Sequence, residues 1–533
     1  MNAMKRILVI RLGAIGDVVL TSPAILNLKI SNPGARILLL TRSKIAKLAS
    51  MFSGVDEIIE FPAHASLRDL FRMAEHLDKI GFDMIVDLHG NLRSKYLMKH
   101  IAAGVKVQYP KRRFERWASV RLHKLNPDPP HTIDLYNMAV QKAGSRIYAR
   151  RPVIRLKPSE RMDFDLTESL PHIAIAPGAS FPSKQWPPDR FRKLSLEIFK
   201  RNPANVVLLL ADIDEQMESL RDEIPLDRLK IFVNAELAEL AQIIAGTDLL
   251  ICNDSALAHI GSAVGTPVIA LFGPTHPTLG FSPRGLRDCI MQVDEPCRPC
   301  SLHGRRACYR DHQYCFDRIS IDDVMEKVTE RIKSKTGGEK ALFIDRDGTL
   351  IREKGYLRDP GEVEPEYKAV ESVRMARDAG YKIIGLTNQS GVARGYYDEE
   401  MVRLVNQRVL DIFASSGAPI DEIHYCPHYI KGELPQYAIE CSCRKPSAGM
   451  LELACLRHNI NPFNSFVIGD KMTDIQLAAV SGGRGILVRT GFGKQEEKLL
   501  QIPYVLGPEI ITENFHEAVK YVVRGGGISG DDS

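Results

Sequence analysis

Residues 341–350 read ALFIDRDGTL. Four apolar residues run straight into two carboxylates at i and i+2, Asp345 and Asp347, with Gly348 behind them. A short continuous apolar run of this kind reads as a buried parallel strand. Parallel sheets collect their chemistry just beyond the carboxyl ends of their strands. The pattern recurs on both sides. Downstream are YKIIGLTNQ (381–389), SFVIGD (465–470) and GILVR (485–489). Upstream are KRILVI (5–10), ARILLL (35–40), FDMIVDL (82–88), HIAIAPG (172–178), NVVLLLA (205–211), TDLLICN (247–253) and PVIALFG (267–273). Longer helical patterns separate the runs, so the expected fold is α/β throughout. A soft break near 150–171 and the polar, Gly-containing SKTGGEK (334–340) divide the chain. The expected domains are 1–160, 161–335 and 336–523, with 524–533 a disordered tail.

Composition excludes several classes. The chain has 533 residues, enough for three or four units at about 150 residues each. Lys+Arg 71 against Asp+Glu 66 gives +5, too small overall to imply nucleic acid. The chain holds no run of 18 apolar residues, so no transmembrane helix is expected. The apolar start is broken by Arg11 and reads as a first strand, not a signal peptide. Ten cysteines at this length are not a disulfide framework, and a reducing cytoplasm is the expected location.

The last third carries the chemistry of phosphate ester hydrolysis. Asp345 can attack phosphorus to give an aspartyl-phosphate. Asp347 can protonate the leaving sugar oxygen and then activate water. Thr387 brings a hydroxyl, Arg444 and Lys445 bring positive charge, and Asp470 ends the run SFVIGD with Asp474 four residues on, at helical spacing. Mg²⁺ prefers hard oxygen ligands and holds carboxylates plus substrate phosphate. Cys426 and His428, then Cys441 and Cys443 after twelve intervening residues, match a closed tetrahedral Zn²⁺ site. Cys443 adjoins Arg444, so zinc would pin the loop that presents the phosphate-binding cations. Only 36 residues (351–386) and 57 (388–444) separate the motifs, too few for a large lid domain.

These residues resemble the haloacid dehalogenase-like phosphatases. The resemblance implies Asp345 as nucleophile, Asp347 as general acid/base, and Thr387 and Lys445 as phosphate stabilisers. It also implies Mg²⁺ on Asp345, Asp470 and the backbone carbonyl of Asp347. GYLRDPGEVE, LTNQSGVARG, YCPH and CSCRKPSAGM are similar to the branch acting on D-glycero-D-manno-heptose 1,7-bisphosphate at its 7-phosphate. The histidinol-phosphate phosphatase branch shares a similar zinc loop. Asn388 is expected at the substrate, with Arg394 and Arg444 gripping the distal 1-phosphate.

The front two-thirds suggests a nucleotide-sugar cleft between two α/β halves. RLGAIGD (11–17) follows the first strand but lacks the GxGxxG spacing of a dinucleotide loop. Asp17 at the helix start could take a proton from an acceptor hydroxyl; a helix-capping aspartate is the equal alternative. APGAS (176–180) and SKQW (183–186) place backbone N–H groups at a helix start and Lys184 where a pyrophosphate could sit. Asn253, Asp254 and Ser255 precede a helix carrying His259, and FGPT (272–275) closes a third strand end.

This ordered set resembles the family 9 glycosyltransferases, the lipopolysaccharide heptosyltransferases, and so implies the GT-B pair of Rossmann-like domains over about 5–320. The resemblance makes Asp17 the base of an inverting transfer and puts Lys184, Asp254, Ser255 and His259 at the ADP-sugar. Arg93, in DLHGNLRS, is expected at the substrate.

Segment 91–124 holds ten Lys/Arg and one acid, with Tyr96, Tyr109, Phe114 and Trp117 interleaved. An anionic glycolipid acceptor at the inner membrane surface suits it better than nucleic acid, and a solvated basic face is the plain alternative. Cys297, Cys300, Cys308 and Cys315 suggest Cys₄ ligation of zinc or iron, which spacing does not distinguish. A redox pair is the lesser alternative. The expected function is twofold: heptosyl transfer from ADP-heptose to an inner-core acceptor, and hydrolysis of the 7-phosphate of heptose 1,7-bisphosphate. The alternative is a phosphatase fused to a non-catalytic or protein-modifying glycosyltransferase-like domain.

Overall fold

The computed structural model describes residues 5–333 and 338–525. Part of the expected linker (334–337) and most of the expected tail (526–533) lie outside the described residues. Among the described residues seventeen strands form three sheets, and every pairing within them is parallel.

The first sheet comprises β1 (Arg6–Ile10), β2 (Arg36–Arg42), β3 (Glu57–Phe61), β4 (Met84–Asp87) and β5 (Val105–Gln108) in the order β3-β2-β1-β4-β5. The second holds β6 (His172–Ala176), β7 (Asn205–Leu210), β8 (Leu229–Val233), β9 (Leu249–Asn253), β10 (Val268–Leu271) and β11 (Cys289–Met291), ordered β11-β10-β9-β6-β7-β8. The third holds β12 (Ala341–Ile344), β13 (Lys382–Asn388), β14 (Glu422–Cys426), β15 (Phe466–Gly469), β16 (Arg484–Val488) and β17 (Ile510–Thr512), ordered β14-β13-β12-β15-β16-β17.

All eleven apolar runs quoted above are inner strands. The six others, among them VKVQ of β5 and EIHYC of β14, are the sheet edges, and the apolar runs did not mark them. An inner strand is covered on both faces and needs Val, Ile and Leu at every position; an edge strand does not.

Chain contacts divide the molecule into two compact units. One contains the first two sheets; the other contains the third and comprises Gly338 onward together with Asn32–Gly34. In the first unit one hydrophobic core runs through both sheets, from Val9 and Val86 to Ala174 and Leu250. The helices Ile15–Val19 and Ala256–Val264 meet there, and the fit is tight: a Cβ on Gly16 would stand 2.5 Å from Cδ2 of His259. Glycine at 16 is what lets the first sheet's loop touch the second sheet's helix. In the second unit the helices Ala369–Asp378 and Phe515–Val523 cover one face of the third sheet, over a core that includes Ile344, Ile383 and Ile468. Among the described residues no helix is long and apolar enough to cross a membrane.

Candidate active sites

The ends of β12, β13 and β15 converge in the second unit. Asp345 follows β12 and is buried; its Oδ1 lies 2.8 Å from Nζ of Lys445 and accepts the backbone N–H of Arg346 at 2.9 Å. Lys445 is buried too, 2.6 Å from Asp474, and donates to the Leu386 carbonyl. Lys471 stands on the other side, 3.7 Å from Oδ2 of Asp345 and 2.9 Å from Asp470. Burial pushes the Asp345 carboxyl up, but the Lys445 and Lys471 ammoniums hold it below the usual carboxylate range. It is therefore ionised and available to attack.

Asp470 is pushed up to about 8, first by burial and then by the Asp345 carboxylate; Asp474 is raised by burial despite Lys445. Asp345, Asp470 and Asp474 each present an oxygen within 4.8 Å of the others, a set of three hard donors with too little positive charge around it. That is the donor chemistry of a divalent cation site. Gly348 makes room for it: at φ 85°, and with a Cβ there standing 2.5 Å from Asp470 Oδ2, its position admits no side chain.

Asp347 turns the opposite way. Its Oδ1 and Oδ2 accept from the Arg346 guanidinium, and Oδ2 accepts from Thr387 (3.2 Å) and Gln389 (2.9 Å). Its carboxylate is not part of the three-acid group. Asn388 does not face outward: it donates to the Lys445 carbonyl and accepts from the Lys445 N–H, so it positions the lysine loop. Arg394 and Arg444 stack over the same Tyr429 ring, at 4.6 and 5.0 Å from its centroid. Arg444 also donates to the His428 carbonyl, and Nε of Arg394 is buried without a hydrogen-bond partner.

Cys426 ends β14, and its sulfur lies 3.0 Å from that of Cys443 and 3.6 Å from that of Cys441. Nδ1 of His428 is 3.3 Å from the Cys443 sulfur. Four ligand atoms gathered this closely on paired residues fit the tetrahedral zinc geometry. The Cys443 thiol is held down to about 5, chiefly by the Cys426 hydrogen bond, and so supplies thiolate. Cys297, Cys300, Cys308 and Cys315 line a cavity of their own and are not drawn as tightly together.

In the first unit a cleft of about 710 Å³ lies between the two sheets' carboxyl ends. Asp17, Lys184, Asp254, Ser255 and His259 all line it. Asp17 does not cap its helix; Ala14 holds the cap position, and Asp17 pairs with the buried Arg11 guanidinium. Burial works against the charge on Arg11, but Asp17, Tyr136 and Tyr109 together more than offset it and raise the pKa. Lys184 lies 2.7 Å from Asp254, which also accepts from Thr275. Residues Pro182–Lys184 form only a 3₁₀ turn, so the expected helix start is not there. The helices Ile15–Val19 and Ala256–Val264 present their first residues to the cleft. His259 is buried, its pKa lowered by that burial, and its Nδ1 has no hydrogen-bond partner. Arg93 is not among the cleft-lining residues: it donates to the Ala65 carbonyl and stacks over Phe61.

Residues 442–518 match the HAD-hydrolase-like family model, and 70–308 match glycosyltransferase family 9 (heptosyltransferase). The D-glycero-alpha-D-manno-heptose-1,7-bisphosphate 7-phosphatase of Photorhabdus laumondii is 39% identical over 158 residues, 30% of this chain and 86% of that one. The chain belongs to the heptose-1,7-bisphosphate 7-phosphatase family through its second unit. The D-glycero-beta-D-manno-heptose-1,7-bisphosphate 7-phosphatase of Haemophilus ducreyi is 38% identical over 29% of this chain and 85% of that one. The glycosyl transferase family 9 structure from Veillonella parvula superposes with a TM-score of 0.50 at 21% identity, over 62% of this chain and 98% of that one, which shows the shared GT-B fold. The chain is thus a glycosyltransferase family 9 domain followed by a heptose-bisphosphatase domain.

Sequence reasoning missed several residues. In the phosphatase domain these are Lys471, Gln389 and Arg346; Lys471 directly follows the Gly469-Asp470 pair that marked the site. In the glycosyltransferase domain they are Arg11 and His89. His89 is held at about 3 by burial and then by Arg11, a neutral ring on the cleft wall. Arg11 opens the RLGAIGD loop, but nothing in that string marks it as the partner of Asp17.

Proposed function

We propose that the phosphatase domain removes the 7-phosphate of heptose 1,7-bisphosphate, and that the glycosyltransferase domain passes heptose from ADP-heptose to an acceptor of the lipopolysaccharide inner core. The observation that carries the first activity is Asp345 held ionised between Lys445 and Lys471. Its free oxygen attacks phosphorus as the bond to the sugar oxygen breaks, and Asp347 gives that oxygen its proton. Asp347 then takes a proton from the water that opens the aspartyl-phosphate, which releases inorganic phosphate and restores Asp345. Lys445 and Thr387 hold the phosphoryl oxygens. Mg²⁺ would sit on Asp345, Asp470 and the Asp347 carbonyl, with Asp474 beside it, and would neutralise phosphate charge. Zinc on Cys426, His428, Cys441 and Cys443 would be structural. Arg394 and Arg444, fixed against Tyr429, suit the distal 1-phosphate. Both relatives named above are heptose-bisphosphatases, which supports this substrate over histidinol phosphate.

For the transfer, Asp17 accepts the proton of the acceptor hydroxyl as that oxygen bonds the anomeric carbon and ADP leaves. Lys184 and the start of helix Ala256–Val264 hold the pyrophosphate. The orphaned His259 Nδ1 at this cleft supports a ligand-binding transferase over a scaffolding module. An anionic glycolipid acceptor at the inner membrane surface is supported by Phe114 and Trp117, exposed with ring centroids 5.8 Å apart within the basic segment. A cytoplasmic location, peripheral to that membrane, follows from this reading.

The deciding experiment assays phosphate release by the full chain from heptose 1,7-bisphosphate, histidinol phosphate and fructose bisphosphate. The first should be preferred, and Asp345→Asn should lose at least about 10³-fold in rate. Release by Asp345→Asn at the wild-type rate would sink the assignment. In parallel, Asp17→Ala should abolish labelled heptose transfer while ADP still binds.

A further inference from the structure

Cys297, Cys300, Cys308 and Cys315 belong to neither reaction as described. All four line one small, partly open cavity of about 10 Å³, the size of a single water or ion, with Cys308 at its exposed side. The segment carrying them is tied to the donor cleft at several points. Arg298, between the first two cysteines, is buried and donates to the carbonyls of Gly273 (2.5 Å) and Thr275 (2.8 Å). The Cys300 N–H donates to the Pro274 carbonyl at 3.1 Å. Thr275 in turn donates its hydroxyl to Asp254, the partner of Lys184.

Between the second and third cysteines the chain loops across the cleft, and His303 and Arg305 of that loop line it. Gly304 lies so close over the Lys184 stem that a Cβ there would stand 2.2 Å from Cγ of the lysine. Ser183 donates to the Gly304 carbonyl, and Gln313 donates to the Ser183 carbonyl at 2.5 Å. Both ends of the strap therefore start from cysteines, and its middle presses on the lysine at the cleft.

We propose that these four cysteines hold a thiolate-bound transition-metal ion, zinc or iron, that fixes the 301–307 strap over the cleft and so sets Lys184, His303 and Arg305 for a nucleoside diphosphate. Four soft ligands around an ion-sized space select such a metal over magnesium or calcium. The strap's positioning role rests on the transferase reading; the metal site does not.

The test counts zinc and iron by mass spectrometry in the dialysed full chain. Wild type should carry two equivalents of thiolate-bound metal, Cys443→Ser one, and the double variant Cys300→Ser/Cys308→Ser one. As a check that spares the cluster, Cys443→Ser refolded with cobalt(II) should still show thiolate-to-cobalt charge-transfer absorption. ADP affinity measured by calorimetry should fall about tenfold in the double variant and not in Cys443→Ser. One equivalent in wild type, an unchanged count in the double variant, or intact-mass loss of two hydrogens per cysteine pair without metal overturns the site. Metal lost with ADP affinity unmoved overturns the positioning role. Failure of wild type to bind ADP at all would count against the transferase reading and leave the metal count standing.

Discussion

Lys445 and Asp345 form a buried ion pair, Nζ to Oδ1 2.8 Å, a hundred residues apart in the chain. Asp345 shares that ammonium with Asp474, and Lys471 faces its other oxygen. Removing one partner of a buried pair leaves uncompensated charge and costs about 3–5 kcal/mol. Lys445→Met should lower the second unit's unfolding free energy by that order in urea titrations. On the proposed role of that ammonium at the phosphoryl oxygens, it should also cut phosphate release at least about 10²-fold. A variant that unfolds at the wild-type urea midpoint would contradict the pairing.

Zinc removal should reach the phosphatase through one peptide bond. Cys443 precedes Arg444 and Lys445, and the Lys445 N–H is held by Asn388. Cys443→Ser should lose zinc and most phosphate release, while ADP binding stays unchanged. Turnover intact in zinc-free protein, confirmed by metal analysis, would show the loop is held without the ion.

Gly16→Ala should disturb transfer without touching a reacting group. The added methyl would meet His259 at 2.5 Å and must push the two helices apart. Overpacking of this kind costs about 1–3 kcal/mol. Calorimetry should show a lower melting temperature for the first unit and weaker ADP binding, with phosphate release as in wild type.

His131 makes the first unit acid-sensitive. Burial first, and Arg284 next, lower its pKa to about 4 from an ordinary 6.5. The folded ring stays neutral while the unfolded chain takes up a proton below 6.5, so stability is full above that pH and falls until about 4. The slope approaches 1.4 kcal/mol per pH unit for this group. Melting temperatures at pH 6.5 and 4.5 should differ less in His131→Gln than in wild type. An equal acid drop in both would remove His131 as the cause.

Residues that act where they stand in sequence were readable. Asp345 and Asp347 leave β12 together, and Cys426, His428, Cys441 and Cys443 come in pairs, so spacing alone carried them. Inner strands were readable because burial on both faces leaves an unbroken apolar run, as in NVVLLL of β7. The edge strands were not: LKIFV of β8 is broken by the exposed Lys230 and ends on the exposed Val233, so it makes no unbroken buried run. Arg93 was misplaced because a cationic side chain in a matching string says nothing about its direction, and here it turns to Phe61. Arg11 was overlooked because its partner Asp17 lies across a turn whose shape depends on Gly13 and Gly16. Asn388 was read as a substrate contact, but its amide is consumed by the backbone of a loop 57 residues away.

The third sheet is complete within its own unit and exchanges no strand with the other two. Each catalyst could therefore be swapped or discarded at the linker by recombination without unravelling its neighbour. As long as they stay joined, every ribosome pass yields one copy of each, so their relative output can be tuned only by changing turnover at a site, never by expression level.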